Sequence, residues 1–565
     1  MNKQAIYHQP DSNYCYPLED NVISVRLRVS KEDTFNSIDV IYGDKYTYQN
    51  RQIKLPMKLK YTDELFSYYQ LDIKLDDVRF VYIFQLINSD GKFYFCEDGI
   101  VEKYDFKLAY FNCFQYPYIN SIDVFKRVSW MKNAIFYEIF VDRFNMGNSN
   151  KDYINMKWND KPRQNSFAGG DLIGIIKKLD YLKHLGINVI YLTPIFSSIS
   201  NHKYDIKDYY KIDAQFGDET IFQKLVDTAH KKGIRIVIDG VFNHSSNLLS
   251  QFQDVVKNGK KSKYFNWFII HGDKIDQKKI NYETFANCYY HPKFNTSNCE
   301  VQKFLIDIGK YYVEKFDIDG WRLDVSDELS HDFWRNFRRE IKNIKPDCLL
   351  LGENWHDSYP FLRGDQFDSI MNYSFTKAML DYFVFETSDA EKTANKLNSL
   401  LIRNSEIVNS MMLNLLDSHD TDRFYSAVHE SIDKLLSALA IQFTFKGVPG
   451  LYYGIEIPTT GGYDPDNRKC MNWNKLNQNS PYFKKLKAII DIRKEEAIID
   501  GEIKITSHNE LLIIERYIKS EKIILAVNNT AQKIHFYEEG EKLVSHRYSN
   551  NYLNSDSFII EKVKK

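Results

Sequence analysis

The chain has 565 residues, too many for one ordinary domain, and 43% of them are hydrophobic, which supports a large core. Its 75 basic and 76 acidic residues leave a net charge of −1, which excludes the electrostatic case for nucleic acid or an anionic membrane surface. Seven scattered cysteines, with no CxxC and no His/Cys cluster, argue against a disulfide framework and a zinc site. Without an apolar run of about 18 residues no membrane span is expected, and the opening MNKQAIYHQPDSNY has no signal-peptide core, so a cytoplasmic protein is expected.

Residues 1–122 read as β-structure. NVISVRLRVS, SIDVIYG and FVYIFQLI alternate apolar and polar residues, and INSDGKFYF sets an Asp-Gly turn between two strand-like runs. A β-sandwich is predicted there. From residue 123 to 498 buried strand-like runs alternate with helical periods: AIFYEIF, then GGDLIGIIKKLDYLKHLG; INVIYLTPIF, then DETIFQKLVDTAHKKG; IRIVIDGVFNH, and so on. Helix after strand in this order means a parallel sheet buried on both faces. A (β/α)8 barrel spends about 30 residues per unit. Asp324 and Glu353 lie 29 residues apart, and Asp420 and Gly454 lie 34 apart, each one unit. Asp239 to Asp324 is 85 residues, so an inserted subdomain is expected at 245–298. Eight strands are predicted to end near Val141, Thr193, Asp239, Asp324, Glu353, Tyr373, Asp417 and Gly454. Short alternating strands return at 499–565 and predict a small C-terminal antiparallel β domain.

Barrel chemistry sits at the C-terminal ends of the strands. There the chain carries DGVFNH (Asp239, His244), GWRLDVSDE (Arg322, Asp324), GENW (Glu353) and LLDSHD (His419, Asp420). Three acids from three strand ends, flanked by two histidines and an arginine, match the needs of a retaining glycosidase: one carboxylate attacks the anomeric carbon and another protonates the leaving oxygen. Arg322 and Asp324, two residues apart, share one face of a strand, and a fixed guanidinium keeps a carboxylate ionised. Asp324 is therefore read as the nucleophile. Glu353, with no cation beside it in the chain, is read as the acid/base, and Asp420 as the stabiliser of a cationic transition state.

These four segments, in this order, resemble the signature regions of the α-amylase family of glycoside hydrolases. AIYHQPDSNYCYP, HKYDIKDYYKID, HPKFNT and GGYDPDNRKCMNW narrow the resemblance to its neopullulanase, cyclomaltodextrinase and maltogenic amylase group. The resemblance implies the same roles for Asp324, Glu353 and Asp420. It implies that Tyr137, His202, Asp205, Asp239, His244, Arg322 and His419 surround the reacting sugar. Glu328 and Trp355 are implied on the acceptor side, with Trp355 as a stacking platform. It further implies hydrolysis of α-1,4 bonds in cyclodextrins, pullulan and maltodextrins with some transglycosylation, and a homodimer built through the N-terminal domain. α-Glucan oligosaccharides are the expected partners.

The chain departs from the group's pattern in the calcium loop after the first strand. There NMGNSNKD has Met146 and Lys151 where oxygen ligands are expected, leaving Asn148, Asp152 and Asp171. Calcium wants six to eight oxygens, so a weak or lost site is expected, with the Lys151 ammonium in the ion's place; the chemistry itself needs no cofactor. Two other functions stay open at this point. One is an α-1,6-glucosidase or trehalose-type isomerase, against which Val325 and HPKFNT argue. The other is a catalytically inactive glycan-binding relative, against which the intact acids argue.

Overall fold

The computed structural model describes residues 1–148 and 151–564, which form two compact units. One unit comprises Met1–Arg127, Thr387–Asn409 and Ile503–Glu515. Its first 120 residues are a sandwich of two antiparallel sheets. Val22–Ser30 pairs with Phe66–Lys74 in one sheet, and Ser37–Asp44 pairs with Phe80–Asn88 in the other. The inward sets of the alternating strands, among them Val25, Leu27, Ile73, Val40, Phe84 and Leu86, meet in one core. The expected Asp-Gly hairpin is present, with Asn88 opposite Gly91 and Gly91 at φ +138°. Helix Ala390–Ile402 belongs to this unit too, and the buried Arg26 donates to the Ile402 carbonyl at 2.8 Å.

The other unit holds the barrel. Its strands are β1 (Phe136–Ile139), β2 (Val189–Leu192), β3 (Arg235–Gly240), β4 (Gly320–Leu323), β5 (Leu349–Gly352), β6 (Ser369–Ile370), β7 (Leu413–Leu415) and β8 (Val448–Tyr452). All pair in parallel in the order β6-β5-β4-β3-β2-β1-β8-β7, and a parallel bridge between Met371 and Leu413 joins the two ends. Each predicted end lies within three residues of the observed one. The widest gap is at β6, because Asn372 caps helix Tyr373–Phe383 and takes over the residues expected to extend the strand. Helix Cys299–Phe316 is likewise set by local chemistry: the Asn298 side chain accepts from Glu300 N at 2.8 Å, and Asp317 ends it at φ +57°. The long excursion after β3 carries helix Ser250–Asn258 and a set of paired short extended segments, including a bridge between His244 and Lys293. In the C-terminal sheet, Glu521–Asn528 pairs antiparallel with Tyr552–Lys564.

Candidate active site

Register assembles the site. β3 and β4 pair with Asp239 opposite Arg322, so these two side chains emerge side by side at the strand ends. The Arg322 guanidinium is fully buried. Its Nη1 lies 2.7 Å from Asp324 Oδ1 and 3.1 Å from Asp239 Oδ2; its Nη2 lies 2.9 Å from Glu353 Oε2 and 3.9 Å from Asp420 Oδ2. One cation therefore faces four carboxylates from three strand ends and the loop after β7. Asp324, Glu353 and Asp420 line a cleft of about 490 Å³ together with His202, Tyr204 and His244. A larger open depression of about 640 Å³ beside Trp158 and Tyr425 contains none of the three acids.

The carboxylates differ in their surroundings. Burial pushes the Asp324 carboxyl well above the usual aspartate range, and Glu353 and Asp239 push the same way against the pull of Arg322. Burial also acts to raise Asp420, but His419, Arg322 and Arg468 outweigh it and hold that carboxyl below the usual range. Glu353 accepts from the Val325 main-chain N–H at 2.9 Å and from the Trp355 indole at 3.2 Å. Val325 takes φ +46° to aim its N–H there. For a β-branched residue that is a strained conformation, costing about 1–3 kcal/mol. Burial lowers the His244 imidazole, whose Nε2 is buried without a protein hydrogen-bond partner, and it takes His202 down to about 3. Both present neutral rings.

The likeness to known proteins is extensive. The family model for the α-amylase catalytic domain matches residues 138–522, and the model for the α-amylase N-terminal Ig-like domain matches residues 1–120. The chain belongs to the α-amylase family. A cyclomaltodextrinase of Thermoanaerobacter pseudethanolicus is 43% identical over 96% of this chain and 95% of its own length. Neopullulanase 2 of Thermoactinomyces vulgaris is 37% identical over 94% of this chain and 92% of its own. A solved cyclomaltodextrinase superposes with a TM-score of 0.90 at 35% identity, covering 100% of this chain and 98% of that one. The protein is thus an α-amylase family glycoside hydrolase with a (β/α)8 barrel, an N-terminal Ig-like domain and a C-terminal antiparallel sheet.

Within this α-amylase family site most expected residues converge, and some stand elsewhere. Trp355 is 43% exposed, lines the cleft and stacks on Tyr373 at 3.7 Å. Asp239 is wholly buried behind Arg322, where the Tyr191 and Tyr204 hydroxyls donate to it at 2.6 and 2.9 Å. Glu328 pairs with Lys293 at 3.1 Å and is not part of the cleft wall. Asp205 accepts from Ser198 and Ser200 and braces the HKYD loop instead of facing the cleft. Tyr137 is a correction. Successive residues of a strand face opposite ways, and in β1 it is Glu138 that turns to the site, accepting from His419 Nδ1 at 2.5 Å. Tyr137 turns the other way and donates to Glu456 at 2.7 Å.

The place expected for Tyr137 is taken by Tyr204. Its ring stacks on His419 at 5.5 Å and 7°, and its hydroxyl lies 2.5 Å from His419 Nε2. It sits between the two HKYD residues that were read as site residues. Glu138 carried a signal as well, being a carboxylate in the middle of an otherwise apolar buried strand. Arg468 lies in GGYDPDNRKCMNW, which was read for group membership and not for the site: it reaches Asp420 Oδ1 at 3.4 Å and the His419 carbonyl at 2.9 Å from a loop beyond β8. One inference from chain neighbours also fails. Glu353 has no adjacent cation in sequence, yet in the fold Arg322 Nη2 forms an ion pair with it at 2.9 Å, beside the hydrogen bond that Nη1 gives Asp324 at 2.7 Å.

Among the described residues no helix is long and apolar enough to cross a membrane, and no group of three or more His, Cys, Asp and Glu side chains is arranged to hold a metal ion. Of the residues expected as weak calcium ligands, Asp152 is exposed, and Asp171 accepts from the main-chain N–H groups of Gly147, Asn148 and Gly174. Ser149 and Asn150 of the same loop lie outside the described residues.

Proposed function

We propose that the chain hydrolyses α-1,4-glucosidic bonds in cyclodextrins, pullulan and maltodextrins with retention of configuration. The observation that carries this reading is the single Arg322 guanidinium held by both Asp324 and Glu353 at the mouth of the barrel. Asp324 attacks the anomeric carbon while Glu353 gives its proton to the glycosidic oxygen, so the bond to the leaving sugar breaks as the bond to Asp324 forms. Glu353, now ionised and held by the Val325 N–H and the Trp355 indole, takes a proton from water, whose oxygen displaces Asp324. When a sugar hydroxyl replaces that water the same step is transglycosylation. Asp420, kept ionised by His419 and Arg468, faces the positive charge that builds on the sugar ring.

Substrate choice follows the named relatives, which include cyclomaltodextrinases, a maltogenic α-amylase of Bacillus acidopullulyticus and neopullulanase 2. Likeness to the 39% identical intracellular maltogenic amylase of Bacillus subtilis supports a cytoplasmic location. Exposed Leu108, Tyr110 and Phe111, together on the short helix Phe106–Phe111, support a homodimer built through the N-terminal domain. The test is a product profile from β-cyclodextrin, pullulan and starch run side by side. Release of α-configured maltose or panose-type products from the first two is expected. Wild-type turnover by Asp324→Asn on all three would overturn the mechanism, and a monomer in sedimentation at micromolar concentration would overturn the dimer.

A further inference from the structure

The loop after β1 is where the family resemblance implies a calcium ion, and the side chains there do not fit one. Asp171, which the resemblance would make a ligand, has both oxygens engaged. Oδ1 accepts from Gly147 N at 3.0 Å and Gly174 N at 2.6 Å; Oδ2 accepts from Asn148 N at 3.3 Å and from Lys151 Nζ at 2.6 Å. The same Lys151 ammonium donates to the Gly169 carbonyl at 2.7 Å and reaches the Gln215 carbonyl at 3.5 Å. It is largely buried, with 12% of its side chain exposed. A carboxylate and two carbonyls converging on one point is the oxygen cage of a hard cation. A primary ammonium brings three donors and no acceptor, and it has three such oxygens here. A divalent ion entering the cage would meet Lys151 as a like charge a few ångströms away.

We infer that Lys151 is a built-in cation, its ammonium holding the position of a bound divalent ion and fastening the β1 loop to Asp171 and the Gln215 segment. The fastening continues toward the cleft. The Gln215 side chain accepts from Lys203 Nζ at 2.5 Å, and that fully buried ammonium also pairs with Asp213 at 3.2 Å. Lys203 stands between His202 and Tyr204, so the internal cation supports the loop that presents both rings to the sugar site. The stability of this chain is therefore independent of calcium.

Thermal unfolding of the full chain, in calcium chloride and in chelator, tests this. The parent Tm is expected to agree within about 1 °C in the two buffers, with no calcium-binding heat in titration calorimetry. Lys151→Met, which keeps the stem and removes the charge, is expected to lower Tm by roughly 2–4 °C in both. Lys151→Asp is expected to become calcium-responsive, its Tm rising with added ion. A saturable rise of the parent Tm with calcium overturns the inference. So does a Lys151→Met variant as stable as the parent, or a Lys151→Asp variant blind to calcium.

Discussion

The two ends of β4 carry two buried aspartates five residues apart, and they differ in everything but residue type. Asp319, below the strand, is 1% exposed and collects His230 Nε2 at 2.7 Å, Ile236 N at 2.9 Å, Arg235 at 3.1 Å and Lys345 at 3.3 Å. Burial acts to raise its carboxyl, but these donors outweigh it and hold it below the usual range. Asp324, above the strand, is 6% exposed and shares one guanidinium with three other carboxylates, and burial wins. Asp368, before β6, repeats the lower pattern with Arg338 and Lys342. At the bottom of the barrel donors outnumber acids; at the top acids outnumber donors. A satisfied carboxylate stays ionised, as Asp319 does below the strand and Asp420 does at the cleft. An undersatisfied one, facing a cleft, is free to react.

The largest effect separates the two ends by substitution. Asp324→Asn removes the attacking oxygen and is expected to lower kcat on β-cyclodextrin by about 10⁴-fold or more. Its Tm is expected to hold or rise, since a crowded buried charge is removed while Arg322 keeps Asp239 and Glu353. Asp319→Asn is expected to do the reverse. Activity at 25 °C stays within a few fold, while stability falls by about 2 kcal/mol because the buried Ile236 N–H and the partly exposed His230, Arg235 and Lys345 lose a charged acceptor. Equal loss of activity in both variants, or a large Tm loss in Asp324→Asn, breaks the contrast.

The pH dependence sharpens it. A depressed carboxyl such as Asp319 contributes stability that is complete above its unfolded value, near 3.9, and is lost as pH falls through its folded value. A raised carboxyl such as Asp324 works the other way. Between the unfolded and folded values the native state holds the extra proton, so this contribution falls as pH rises through that window. Attack needs Asp324 ionised, so the acid limb of kcat/KM is expected above 3.9, the ordinary aspartate value. Asp319→Asn is expected to leave that limb in place while weakening the acid-unfolding transition. An acid limb at or below 3.9 in the parent enzyme rules out a raised Asp324.

The contrast also explains what could be read from the chain. The barrel was legible because helix and buried strand alternate at a fixed spacing, and the three acids because each ends a strand at that spacing. The departure at Lys151 stood out in the chain because an ammonium among expected oxygens is chemically conspicuous. Partners that meet only through the fold were not. Arg322 reaching Glu353, Arg468 reaching Asp420 and Glu138 orienting His419 join segments 31, 48 and 281 positions apart, and no local pattern records such a meeting. Tyr137 was misplaced for a subtler reason. In a parallel strand buried on both faces the apolar run is continuous, so periodicity does not say which of Tyr137 and Glu138 turns inward.

That last point yields the smallest and most discriminating pair of variants. Tyr204→Phe keeps the ring that stacks on His419 but removes the hydroxyl shared with Asp239 and His419. One buried hydrogen bond to charged groups is worth about 1.5 kcal/mol, so kcat/KM is expected to fall by roughly tenfold, with a stability loss of about 1 kcal/mol as well. Tyr137→Phe removes a hydroxyl that donates to Glu456, which keeps its bond from Tyr181 at 3.1 Å. Activity is expected to stay within about twofold, with a stability loss of about 1 kcal/mol. A Tyr137→Phe variant slower than Tyr204→Phe would return Tyr137 to the sugar site and reverse the facing assigned to β1. Since Glu138 and Tyr137 cannot both turn inward from adjacent strand positions, the same result would detach Glu138 from His419. The orientation of His419 would then rest on Asp420 and Tyr204 alone.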